Sequence, residues 1–172
     1  MSSYFQNIDG LSSGAETRAG SVTRADGFTI KVISPPTNET KPTCRLFHHG
    51  RDTGRDLPGV VLEASLKVNN EWLLFLTHDI PFEESLEICL LASNFEALDR
   101  ATLMAPNATG SFEDLQILSE QRMRFRFLGK GFWELELLKK PAFRLPLMSE
   151  PLGVVRPFGF SRRFVLSCKR ES

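Results

Sequence analysis

From Gly27 onward the chain repeats one rhythm: short runs of Val, Ile, Phe and Leu, about ten residues apart, bounded by Pro, Gly, Asn or Asp. No run is long enough to be read as a helix of more than two turns, and no repeat is visible at a period of about 20–50 residues. The pattern predicts an all-β domain, an antiparallel β-sandwich of about 10–12 short strands, with a flattened β-barrel as the alternative architecture. Only Ser111–Gln121 is ambiguous: the spacing of Phe112, Leu115 and Leu118 permits a helical turn, whereas Asp114-Leu115-Gln116-Ile117 fits a strand.

Three hairpins have a readable turn. Val60–Val68 and Glu71–His78 flank Asn69-Asn70, a pair that tolerates positive φ. This pairing stacks Leu62, Ala64 and Leu66 against Leu73 and Phe75. Strand 72–76 is apolar on both faces, which marks it as central. Leu86–Ala92 and Ala97–Met104 turn at Ser93-Asn94. The third hairpin joins two strictly alternating segments, 122–127 and 132–137, through Gly129-Lys130-Gly131. A three-residue loop would set Phe127 against Trp133, Arg126 against Glu134, Phe125 against Leu135 and Arg124 against Glu136, so that charges meet opposite charges on one face. Later strands, 142–148, 153–156 and 162–169, are fenced by Pro141, Pro146, Pro151 and Pro157, as edges and corners are.

The first 26 residues break the rhythm. They are rich in Ser and Gly and predict a flexible N-terminal arm, which leaves 27–172 as a single all-β domain. A chain of 172 residues is one domain of ordinary size and needs no metal or disulfide staple. Charge changes the picture little: 21 basic residues balance 21 acidic ones, with a net of −3 over 1–86 and +3 over 87–172. That balance argues against a nucleic-acid partner, and the lack of a long apolar run argues against a membrane one. Three widely spaced cysteines (Cys44, Cys89, Cys168) and no basic-then-apolar leader point to small core residues in the reducing cytoplasm. Fourteen Phe stand against two Trp and one Tyr, the latter in the arm, so phenylalanine is read as core material.

Candidate chemistry concentrates in 48–56, read as an overlong polar loop between two strands. His48, His49, Arg51 and Arg55, joined by His78 from the end of another strand, form the candidate ligand-binding set. Guanidinium forks and glycine N–H groups there suit a small anionic ligand. Metal binding is disfavoured, because adjacent histidines on a strand point to opposite faces. No cofactor is expected, and no catalytic residue is assigned: nucleophile-elbow, P-loop and zinc-protease spacings are all missing. The carboxylates Asp79, Glu83, Glu84 and Glu87 make a small acidic patch without calcium-loop spacing. The arginine row 122/124/126 is expected to be neutralised across its hairpin. Phe158 and Phe160 are expected to plug one end of the core; exposed together, they would instead mark a contact surface.

These observations favour a non-enzymatic binding or assembly module that contacts a protein partner, or a small anion, through the polar loop. A homo-oligomer is one form of it. The alternative is a small-molecule-binding barrel or an enzyme with a His- and Arg-lined cavity.

Overall fold

The computed structural model describes residues 22–37, 40–80, 83–105, 108, 110–129, 131–144 and 150–169. They form thirteen strands, all paired antiparallel, in three sheets, and no barrel closes among the described residues. The all-β sandwich is therefore what the alternation pattern predicts, with an additional layer.

A six-stranded sheet occupies the middle. It comprises β1 (Val22–Arg24), β5 (Val61–Val68), β6 (Glu71–Thr77), β7 (Ser85–Leu91), β8 (Ala97–Met104) and β12 (Val154–Val155), hydrogen-bonded in that order. β6 and β7 are interior strands of this sheet. β7 is buried along its whole length and β6 from Leu73 onward, and both are apolar on two faces except at Thr77, Ser85 and Glu87.

Each face has its own cover. On one side lies a four-stranded sheet ordered β13 (Ser161–Lys169), β11 (Phe132–Phe143), β10 (Arg122–Arg126), β9 (Glu113–Ile117). Leu66, Leu73, Phe75, Ile88 and Leu103 meet Met123, Phe125, Trp133, Leu135 and Phe164 there in one large apolar cluster. On the other side β2 (Phe28–Ser34), β3 (Thr43–His48) and β4 (Arg51–Pro58) form a three-stranded sheet. It packs Phe28, Cys44, Leu46 and Leu57 on Leu74, Leu76, Cys89 and Leu91.

Several expectations change. The arm expected to reach Asp26 is already structured at Val22, where β1 pairs with β5 and the Ala25 N–H donates to the Ser65 carbonyl at 2.9 Å; residues 1–21 lie outside the described set. In the β5–β6 hairpin Asn69 takes the positive φ, 54°. A bulge at Glu63 then sends Leu62 opposite Leu76, to the smaller cluster rather than beside Ala64. The ambiguous segment is strand β9.

The third hairpin is shifted by two residues: Phe125 pairs with Trp133, Arg124 with Glu134 and Arg122 with Glu136. A shift of two preserves faces, so the alternation alone could not detect it. What selects it is local: Trp133 Nε1 donates to the Phe127 carbonyl at 2.7 Å, and Leu128 and Gly129 both take positive φ in a longer turn. Arg126 consequently stacks on Phe132, 4.0 Å from the ring centre, and pairs with Asp114 at 3.0 Å on β9. β11 also continues through Pro141, which sits at an irregularity between Leu137 and Ala142 instead of ending the strand.

Candidate functional site

The five expected ligand-binding residues do not form one site. Residues 48–56 are not a loop: β3 and β4 join through the two-residue turn His49-Gly50, with φ of 48° and 75°. The segment is polar because β4 is an edge strand whose side chains are mostly half-buried or exposed. Arg45, Asp52 and Asp56 form an ion-pair ladder across it. His48 is part of an aromatic cap over the smaller cluster, 4.4 Å from Phe28, 5.1 Å from Trp72 and 5.5 Å from Phe95 between ring centres. Burial, with His49 beside it, pushes the His48 imidazole below its ordinary range. His49 lies over Gly27, where a Cβ would come within 2.5 Å of its ring. Arg55 reaches Glu96 at 3.8 Å, and Arg51 is exposed at the turn.

His78 is elsewhere. Six residues beyond Trp72 along the same strand direction, it stands about 20 Å from the His48 cap. It is 5% exposed and bonded through Nε2 to Glu87 Oε1 at 3.1 Å. Glu87, 2% exposed, accepts a second bond on Oε2 from the Thr102 hydroxyl at 2.8 Å. The ladder explains the grouping: Glu87 faces Thr102 and Ser85 faces Met104, while His78 follows Thr77, whose partner is Leu86, and so stands opposite Ser85. Glu84 fixes the approach. Its Oε1 accepts the backbone N–H groups of His78 (2.8 Å), Asp79 (3.2 Å) and Ser85 (2.9 Å), holding Asp79 at φ 57°.

Of this group His78, Ser85 and Thr102 line a cavity of about 340 Å³, walled also by Lys41, Pro42, Ile80, Met104 and Ala105. It opens where the three-stranded sheet ends and the central sheet continues. The acidic patch read from the sequence dissolves: Glu84 serves the backbone, Glu87 is buried, and among the described residues no three His, Cys, Asp or Glu side chains gather around a metal-sized space. Glu87 and Thr102 were missed as site residues. The available signal was a carboxylate inside the apolar strand Leu86–Leu91, which cannot be buried without a partner.

A second feature lies at the β12–β13 end. Phe158 and Phe160 do not plug the core: they are 83% and 46% exposed, and Phe143 is 73% exposed. Phe143 and Phe160 stack with centres 5.6 Å apart and planes 4° from parallel, and Phe158 meets Phe160 edge-on at 5.5 Å. Lining one cavity with Phe158, the Arg156 side chain is buried, bonded to Asp99 at 3.2 Å and the Phe164 carbonyl at 3.0 Å, with Glu150 at 2.7 Å. Asp99 also accepts the Arg163 N–H at 2.7 Å. This clamp joins β8 to β13, the strand that begins directly after Phe160. Phe158 borders two cavities of about 360 Å³ each. Comparison with known protein families, curated proteins and solved structures found no match, so these two arrangements are the guide to function.

Proposed function

We propose that the protein is a non-enzymatic assembly module that associates through its aromatic end. The carrying observation is that Phe160 contacts both Phe143 and Phe158 and all three are exposed, with Leu152, 99% exposed, bordering the same cavity as Phe158. Rings exposed singly need no explanation, but a contiguous apolar group favours a partner that covers it. A rigid base reduces what ordering would cost on binding, and the Arg156 clamp supplies one.

The reading departs from the polar 48–56 segment as the contact, because that segment is a hairpin whose polar groups largely satisfy one another. His49 and Arg51, exposed around its turn, retain the lesser role of a small-anion contact. Nucleic acid is not the partner in this reading: Arg122, Arg124 and Arg126 are engaged by Glu134, Gln116 and Asp114. No helix of the described chain is long and apolar enough to cross a membrane. The cytoplasmic placement is supported by three unpaired cysteines, two of them buried.

A second copy of the chain is the partner to test first. Sedimentation velocity from about 1 µM to about 1 mM should show a concentration-dependent dimer, and Phe143→Ser with Phe158→Ser should restore the monomer. A wild-type monomer at the highest concentration overturns self-assembly.

A further inference from the structure

The floor of the cavity beside Thr40, Lys41 and Pro42 has a hydrogen-bonding sign. Thr102 donates its hydroxyl proton to Glu87 Oε2, and His78 faces Oε1 through Nε2, so that a ring carrying its single proton on Nε2 donates there. In that tautomer the atoms left with lone pairs are His78 Nδ1 and the Thr102 oxygen. A buried carboxylate stands directly behind both. At the rim the exposed side chains of Lys41 and Glu83 offset one another in charge, while Pro42, Ile80, Met104 and Ala105 make apolar walls.

We propose that this cavity binds a small ligand that donates hydrogen bonds, a primary amine or a hydroxyl group carried on a compact apolar body, with His78 and Thr102 as acceptors. Three points support it independently of the aromatic end. The volume, about 340 Å³, is that of a small-molecule site. The polar groups are preorganised, since Glu84 holds the backbone of 78, 79 and 85, and Glu87 fixes the imidazole. The electrostatic background is negative at the floor, which favours an ammonium over a neutral hydroxyl and disfavours a carboxylate.

The test uses three probes of one size and shape on the full chain: benzylamine, benzyl alcohol and benzoate. With ¹⁵N-labelled histidine the protein gives only three imidazole systems, and His78→Gln identifies the one at issue. The expected free spectrum shows His78 protonated on Nε2 with a bare Nδ1. Benzylamine and then benzyl alcohol should shift that Nδ1 resonance at millimolar concentration, and benzoate should not. Glu87→Gln should weaken benzylamine by about tenfold or more and benzyl alcohol less. A His78 ring protonated on Nδ1 instead, benzoate as the strongest of the three, or no probe moving the resonance would each overturn the proposal. If Glu87→Gln does not fold, the ranking of probes on the wild-type protein decides alone.

Discussion

The central sheet is the same six strands seen from two sides, and its sides are built differently. Toward the four-stranded sheet, β5 to β8 present Leu66, Leu73, Phe75, Leu86, Ile88, Leu90 and Leu103, all fully buried in one apolar cluster. Toward the three-stranded sheet the same strands begin apolar, with Leu74, Leu76, Cys89 and Leu91, and end polar, with His78, Ser85, Glu87 and Thr102. The cover decides the difference. Only Phe28, Cys44, Leu46 and Leu57 of the smaller sheet are buried, and they reach part of the face. Where the cover stops, a cavity remains, and polar side chains can be kept there provided they bond one another. The dry face carries the larger apolar cluster, and the half-covered face holds the buried polar side chains.

That contrast can be broken experimentally, starting where the effect is largest. Phe125→Ala empties a fully buried site between Phe75 and Phe112 and should cost about 3–5 kcal/mol in urea unfolding, against about 2–3 kcal/mol for Leu46→Ala in the smaller cluster. Equal losses would remove the distinction between the faces. Glu87→Ala leaves the His78 Nε2 and Thr102 hydroxyl without their partner and should cost about 2–3 kcal/mol, read from the same denaturant midpoint. A loss under about 0.5 kcal/mol would mean that water satisfies both groups and that the dyad is not preorganised.

The half-covered face also carries two buried thiols. Burial, with Asp56 nearby, pushes Cys44 up to about 11, and burial pushes Cys89 higher still. Since an unfolded thiol ionises near its ordinary value of 9.0, both groups favour the folded state below that pH, and the contribution is lost as pH rises from 9 toward 11. Thermal unfolding followed through this window should show the decline, and Cys44→Ala should flatten it. At the small end, Phe143→Ser should change folding stability by less than about 0.5 kcal/mol, because the ring is 73% exposed, while weakening self-association. A large destabilisation would make Phe143 a structural residue and remove the aromatic end as a docking surface.

How far the sequence could carry these conclusions differs between strands. The run from Trp72 through Leu76, apolar at every position, places β6 in the interior because only a strand covered twice tolerates it. It did not follow that the covers were separate sheets, since alternation reports that a face is buried and not by what. The Arg122–Arg126 row showed its faces and its opposing charges, but the register is decided by Trp133 reaching a carbonyl, which alternation cannot see. The 48–56 segment looked like a loop because turn residues and edge-strand residues share a polar composition. His78 was recognisable as a candidate, yet its partner Glu87 lies nine residues later on β7, and Thr102, which bonds Glu87, twenty-four later on β8; they become neighbours only through the ladder. Phe158 and Phe160 carried no sign of which way they face: a glycine between two phenylalanines suits a plug and a platform equally.

The two covers also differ in when they become available. The three-stranded sheet comes from residues 28–58 and precedes the central hairpin in the chain, whereas the four-stranded sheet comes from residues 113–169 and follows it. During synthesis at about 5–20 residues per second, the apolar face of β5 to β8 waits roughly 3–12 s between the emergence of Leu103 and that of Leu166. Over that interval β7, apolar along most of its length, is open to neighbouring nascent chains. The apolar end of the other face, with Leu74, Leu76, Cys89 and Leu91, has no such exposure, because its cover is already made. The driest part of the finished molecule is thus the most vulnerable part of the unfinished one, and production of this protein is expected to depend more on temperature and translation speed than its folded stability would suggest.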